Sequence, residues 1–347
     1  MARKRKDTRI FETLLARFEP DLQRAFRAAL ADLREGVNFR AFLDALESGN
    51  IQNAIDALNI EPAAFQRYAV AKTEAFRASG AATVASISLP GAIDARIRFD
   101  MTNPRAEAWI ANEVGQKITR ITEENIETVR KTILTGFQRG DGPFDIGVDV
   151  AGRVKNGVRQ GGVLGLDGPR AERLAKVKEG IKTPEGVRGL VIEGRDGTVR
   201  MRYKVNKASE NAILAAHRRG EAVLEEQRVR IEQQYSNRLL KDRADTVARA
   251  ETSQAVMSAR EEAWSQTNIP DEFILKRYIH GGGVKDPREH HIAMSGTVIR
   301  GKQTPFPFSN GARHRWAHDP EADVSELVNC SCNTEMFVDP QYRPGSG

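Results

Sequence analysis

Cysteine is nearly absent from this chain: Cys330 and Cys332 are its two cysteines in 347 residues. A pair this closely spaced cannot staple a fold, so a disulfide framework is excluded and a reducing cytosol is the expected setting at synthesis. Aromatic residues are 6% of the chain, and 40% is hydrophobic against 29% charged. That balance excludes one thick core and favours helices exposed over much of their surface. Long apolar runs are missing too. None is long enough to cross a bilayer, so no membrane partner is expected. The basic start, Met1 to Ile10, has no apolar stretch behind it, which argues against a secretory signal. Proline is missing from 207–266, and Gly220 is the one glycine there.

What is present divides by charge. The net charge is +6, unevenly spread. Residues 1–10 hold five Arg/Lys against one Asp, and 153–204 hold thirteen against six acids. The stretch 271–347 has nine against ten and carries no net field to attract phosphates. Contact with double-stranded DNA, if made, is expected from Arg3, Lys4, Arg5 and Lys6 and from Arg153, Lys155 and Arg159. The competing reading of those cations is a solvated surface.

The spacing predicts a mainly α protein with a small α+β C-terminal module and one long helix in an elongated multi-helix body. Four regions are expected: 1–90, helical with a basic arm; 91–206, a helical hairpin plus a basic glycine-rich insertion; 207–270, the long helix; and 271–347, the module. Phe11, Leu14, Phe18, Leu22, Phe26, Leu30 and Leu33 recur at helical spacing, with a break expected at Pro20. Gly49-Asn50 ends the next helix. Asn103 and Pro104 are start signals, and Thr122 is expected to cap a second helix ending at Gly140. Residues 152–205 hold eleven glycines, but no Gly-Lys-Ser/Thr follows, so a flexible insertion with a hairpin at Asp196-Gly197 is expected rather than a phosphate loop. In 207–266, Arg249 and Glu251 stand in the densest apolar part. They read as a charge pair anchoring the helix, with a catalytic pair as the alternative.

Chemistry is concentrated at the end. Five of the six histidines lie between His280 and His318, followed by both cysteines. Three readings compete. Cys330 and Cys332 with His290 and His314 or His318 would make a metal site, although Cys-x-Cys is not the usual zinc spacing. A histidine activating water beside a metal would make a nuclease. A structural knot of buried thiols and hydrogen-bonded histidines is the reading favoured by the residues alone.

These residues also carry a resemblance. Thr102-Asn-Pro104, Trp109-Ile110 and Ile118–Glu123 resemble the middle of phage minor head proteins. Arg243-Ala244 with Val247-Ala-Arg249-Ala-Glu251-Thr252 and Ala255 resembles a helix of the same proteins. Asp286-x-Arg288-x-x-His291, Ser295–Val298, Phe306 or Phe308, and Asn329-Cys330-Ser331-Cys332 resemble the Mu F-type head-morphogenesis domain. Ser331 stands where that family has Arg, Ser295 where it has Asp, and His314–His318 where it has a Tyr-Pro-Gly-type turn. The resemblance implies a minor capsid protein of a tailed phage or prophage, assembled in the host cytoplasm and placed at the portal vertex and head interior. Its implied partners are the portal protein, the major capsid or scaffold protein, and packaged DNA. It implies no catalytic residue and no cofactor. Arg249, Glu251, Asp286, Arg288, His291, Asn329, Cys330 and Cys332 are its structural signature. The alternative expectation is a metal-dependent nuclease or toxin-like effector with its site in the His/Cys cluster.

Overall fold

The computed structural model describes residues 6–87, 98–282 and 286–343. Arg3, Lys4 and Arg5 lie outside them. Helix α1 (Lys6–Glu35) is continuous, so no break occurs at Pro20. A proline inside a helix costs about 3 kcal/mol. Phe11, Leu14, Phe18, Leu22, Phe26, Leu30 and Leu33 are all buried along the helix. At roughly 1.5–3 kcal/mol each, their burial outweighs that cost. Helix α2 (Phe39–Glu47) starts under an Asn38 cap. Asn50, after Gly49 in the left-handed region, caps α3 (Ile51–Asp56). A 3-10 turn at Pro62–Phe65 leads into α4 (Gln66–Val84).

Asn103 and Pro104 open α5 (Pro104–Trp109) as the sequence predicts. The expected hairpin does not follow. A π-helical segment, Ile110–Gly115, carries the chain directly into α6 (Gln116–Arg139). Thr122 caps nothing; its hydroxyl donates to the Ile118 carbonyl at 2.9 Å inside the helix. The physical reason is a continuous buried face of Val114, Ile118, Ile121, Val129 and Ile133, which leaves no place for a turn.

Helix α7 (Pro143–Ala151) precedes a hairpin of β1 (Arg153–Lys155) and β2 (Val158–Gln160), turned by Asn156 and Gly157, both at positive φ. Then come α8 (Gly168–Gly180), α9 (Pro184–Gly189), and the predicted hairpin at Asp196-Gly197, β3 (Val191–Glu193) with β4 (Val199–Met201). This region is not a loose insertion. Val163, Leu166, Leu174, Val177, Ile181, Val187 and Leu190 form one core with Ile213, Val223, Ile231, Tyr235 and Leu239. The long helical signal divides at Gly220, which adopts φ +68 after α10 (Lys207–Arg219) and before α11 (Glu225–Ser265).

The C-terminal module is β5 (Ile274–Ile279), α12 (Glu289–Met294), β6 (Val298–Arg300), β7 (Phe306–Pro307), β8 (Arg313–His314), α13 (Val324–Leu327) and β9 (Asn333–Val338). Strands run antiparallel in the order β6-β5-β9, with β7 paired to β8. Burial alternates along β5, with Ile274, Lys276 and Tyr278 facing inward. The fold is therefore mainly α with a small β module. No helix among the described residues is long and apolar enough to cross a membrane.

The chain forms two compact units, each discontinuous in sequence: Met1–Phe26, Gln66–Lys117 and Asp245–Gly347 in one, Arg27–Phe65 and Ile118–Ala244 in the other. In the first, Phe76 stacks on Trp109 with centroids 4.0 Å apart, and Phe26 meets Tyr68 edge-on. In the second, Arg243 is 1% exposed and donates to the Gly165 carbonyl at 2.8 Å and to Glu124 at 3.2 Å.

Candidate functional site

The histidine and cysteine side chains converge in the C-terminal module. Arg288 lies just before α12 and donates to the carbonyls of Ser325 and of Val328, the latter at 2.9 Å. That ties α12 to the end of α13. His290 and His291, the second and third residues of α12, then share one carboxylate. Glu326 Oε2 is 2.7 Å from His290 Nε2 and 2.9 Å from His291 Nε2, while Asn310 Nδ2 donates to Glu326 Oε1 at 3.0 Å. Burial would raise the Glu326 pKa, but the bonds from both histidines hold it below its ordinary value.

On the other side of the ring, His291 Nδ1 faces sulfur. Cys330 Sγ and Cys332 Sγ each lie 3.7 Å from it. His280 Nδ1 reaches Cys332 Sγ from the end of β5, at 3.6 Å. The cysteines occupy the loop between α13 and β9, not a strand. Asn329, at φ +57, makes the turn that sends both thiols inward, a conformation asparagine tolerates better than most residues. A side chain at Gly281 would sit 1.9 Å from the Ser331 carbonyl, so glycine allows the His280 segment to pass this close. The two thiols differ. The hydrogen bond to Cys332, then burial, pushes Cys330 well above the usual thiol range. The same bond outweighs burial at Cys332 and pulls it strongly down.

The ligand atoms of His291, Cys330 and Cys332 lie within 4.8 Å of one another, as do those of His290, His291 and Glu326. Both sets have the donors a transition metal takes. His314 and His318 do not belong to either. The His314 ring packs on Phe308 at 4.6 Å, and His318 Nε2 faces the Cys332 carbonyl at 3.2 Å. Burial lowers the pKa of both, His318 to about 4, so they are neutral side chains of the core. Of the set proposed from sequence, His290 lies in the Glu326 group and His314 and His318 in neither; the histidine beside both thiols is His291, with His280 reaching Cys332. Alternation along β5, which puts His280 two residues beyond the buried Tyr278, was the available signal.

The remaining sequence candidates are dispersed. Asp286 is exposed. Arg249 and Glu251 do not pair with each other. Arg249 is 57% exposed and faces Glu19 at 3.5 Å. Glu251 is buried and meets Lys72 Nζ at 2.5 Å and Lys117 Nζ at 2.8 Å. Lys72 also donates to the Glu113 carbonyl of the π segment at 3.1 Å and to Gln254 at 3.1 Å. Sequence reasoning missed Lys72, although it shares a buried face with Tyr68, Ala75, Phe76 and Ser79.

Of the cations expected to meet DNA, Lys6, Arg153 and Lys155 are exposed. Arg159 is half-buried over the Phe39 ring, 4.8 Å from its centroid. The glycine-rich loop beside it is held by a residue the sequence reading passed over. Buried Arg34 donates to the Gly161 carbonyl at 2.6 Å and the Arg159 carbonyl at 3.2 Å. Burial, with Arg159 nearby, pulls its pKa to about 10. The loop thus turns carbonyls toward a cation, the opposite of a phosphate cradle. A cavity of about 140 Å³ lies nearby, lined in part by Lys131, Arg139 and Lys178. All three are engaged by acids: Glu172, Asp141 and Asp149.

No family model matches the chain, and no solved structure matches it. Among curated proteins it is similar to the uncharacterized protein YqbB of Bacillus subtilis (strain 168), 34% identical over 101 residues. The match covers 28% of this chain and 32% of that protein, so the chain spans about a third of the length of the relative it matches.

Proposed function

We propose that this chain is a minor head protein of a tailed phage or prophage, acting in procapsid assembly as a structural component at the portal vertex. One observation carries this reading. Arg288, His291, Asn329, Cys330 and Cys332, five of the residues on which the resemblance to the Mu F-type domain rests, close on one another although up to 44 positions separate them. A signature scattered by chance has no reason to meet in one buried cluster. In this reading the cluster holds the terminal module in shape, and the exposed faces of the helices bind the portal and capsid or scaffold proteins. Exposed Arg153 and Lys155 on the β1–β2 hairpin suit contact with packaged DNA.

The test is co-expression with the portal and major capsid proteins of the phage or prophage that carries the gene. Co-purification with portal rings or procapsids is expected, and its absence from both overturns the proposal. A second reading, a metal-dependent nuclease, draws on His290, Glu326 and Asn310, whose side chains are only partly buried as a group. Metal-dependent DNA cleavage lost in a folded His290→Ala variant would favour it over the structural role.

A further inference from the structure

We propose that the C-terminal module binds one zinc ion through His291 Nδ1, Cys330 Sγ and Cys332 Sγ, whose ligand atoms lie within 4.8 Å of one another; His280 Nδ1, 3.6 Å from Cys332 Sγ, is a further donor at the edge of the set. Distances separate this site from its neighbour. A tetrahedral zinc, with bonds of about 2.3 Å to sulfur and about 2.0–2.1 Å to nitrogen, places ligand sulfur and nitrogen about 3.6 Å apart. The three sulfur–nitrogen distances here are 3.7, 3.7 and 3.6 Å. The same bond lengths place ligand nitrogen and oxygen about 3.4 Å apart. Glu326 is 2.7 and 2.9 Å from the two histidines, which is hydrogen-bond spacing rather than shared-metal spacing. Glu326 is therefore not a ligand. It accepts the Nε2 proton of His291, which fixes the tautomer that leaves the Nδ1 lone pair toward the sulfurs. A carboxylate behind the far nitrogen of a histidine is the usual support of a metal-bound imidazole.

The valence of His291 Nδ1 makes the same point. With its proton on Nε2, this nitrogen has one lone pair, turned toward both sulfurs at 3.7 Å. A cation at that lone pair, shared by both sulfurs, satisfies all three atoms. On binding, whatever proton the thiol pair still holds passes to solvent and each sulfur forms a Zn–S bond; nothing is oxidised or reduced. The ion would join the helix α12 to the loop before β9, which are distant in sequence. Three protein ligands from separate segments would make the ion a cross-link of the module. The inference stands independently of the head-protein reading, because metal content can be measured whatever the chain assembles with.

The experiment uses the full chain, expressed with zinc in the medium and purified under reducing conditions without chelator. Elemental analysis is expected to give one zinc per chain. Cobalt exchanged for it should show the intense visible bands of a tetrahedral site and a thiolate-to-cobalt charge-transfer band. Because the chain has two cysteines in all, a mercurial thiol reagent should release one zinc per two thiols. Cys330→Ser, Cys332→Ser and His291→Ala should each reduce zinc content at least tenfold, and His290→Ala should leave it unchanged. Glu326→Gln should keep the metal but weaken its affinity about 10–100-fold. The cobalt spectrum of the unmodified chain decides the matter even if the variants fail to fold. Folded protein with no stoichiometric metal and two freely titrating thiols overturns the proposal. So does a metal that survives both serine variants and is lost in His290→Ala, which would assign it to the Glu326 group. A Cys330–Cys332 disulfide in freshly reduced, metal-supplied protein would also overturn it.

Discussion

Replacing Glu251 with Gln should be among the most damaging single changes in the chain, although it removes no heavy atom. Glu251 is 5% exposed and Lys72 is 0% exposed. Their contact at 2.5 Å is sealed from water, and Lys117, about a third exposed, completes the group. Glutamine keeps the size and an acceptor but removes the charge. Lys72 would keep its bonds to Gln254 and to the Glu113 carbonyl, yet its ammonium would lie in a low-dielectric interior without a counter-ion. Stranding one member of a buried pair costs about 3–5 kcal/mol. For a compact unit of this size that is a fall of roughly 6–20 °C in Tm. Thermal unfolding followed by circular dichroism and by calorimetry measures it. Arg249→Ala is the internal control. That side chain lies two residues away on the same helix, is 57% exposed, and its ion pair is worth under about 1 kcal/mol. A double variant, Lys72→Met with Glu251→Leu, removes both charges and should recover most of the loss, because apolar replacement of a whole buried pair is close to neutral. A Glu251→Gln cost no larger than that of Arg249→Ala, or a double variant less stable than the single, would refute the reasoning.

Other outcomes follow from the same physics. Burial would raise the Glu251 pKa, but Lys72 and Lys117 lower it from the ordinary 4.5 to about 2. Its stabilisation is therefore fully present above pH 4.5 and lost as pH falls toward 2, by about 3 kcal/mol in all; a flat acid limb between those values in unfolding titrations would contradict this. Arg34→Met should free the glycine-rich loop, leaving the Gly161 and Arg159 carbonyls without their donor. We expect a loss of about 2–4 kcal/mol and faster amide exchange confined to 159–166, whereas exchange spread evenly over the chain would count against the anchor. If the β1–β2 hairpin meets DNA, Arg153→Gln with Lys155→Gln should weaken binding and lower the salt slope by about 2. An unchanged slope would remove the hairpin from consideration.

Much of the helical body was legible in the sequence. Asn103-Pro104, Gly49-Asn50 and Asp196-Gly197 each work through two or three neighbouring residues, and the structure puts each at its predicted boundary. The failures were cases where distant packing overrode a local signal. Pro20 was carried through a helix by a buried stripe, and Thr122 was held inside α6 by the face below it. The glycine-rich segment looked loose because its composition is loose. Its order comes from a core shared with α10 and the first half of α11, and no local window contains that. At the site, the sequence grouped Cys330 and Cys332 with His290, His314 and His318, whereas the structure puts His291 beside the thiols. His314 and His318 are close in sequence to the cysteines, yet the closest sulfur contact beyond His291 comes from His280, 52 positions away. Lys72 shows what a finer reading could recover, since a lysine at a core position of a helical face needs an acid somewhere.

The discontinuity of the first unit has a consequence for how the protein is made. Asp7 pairs with Arg260, and Thr8 accepts from Asn333, so the start of the chain is held by its last quarter. The second unit has all its residues once Ala244 has left the ribosome. The opening helix, whose Asp7 and Phe11 meet Arg260, must wait for at least the residues from Ala244 to Arg260, about 1–3 s at ordinary rates of synthesis. During that interval its apolar face is open to chaperones or to a second nascent chain. Premature termination between Ala244 and Arg260 would therefore release a product whose second unit is complete but whose first helix lacks this partner, and such products should be the aggregating fraction in expression cultures.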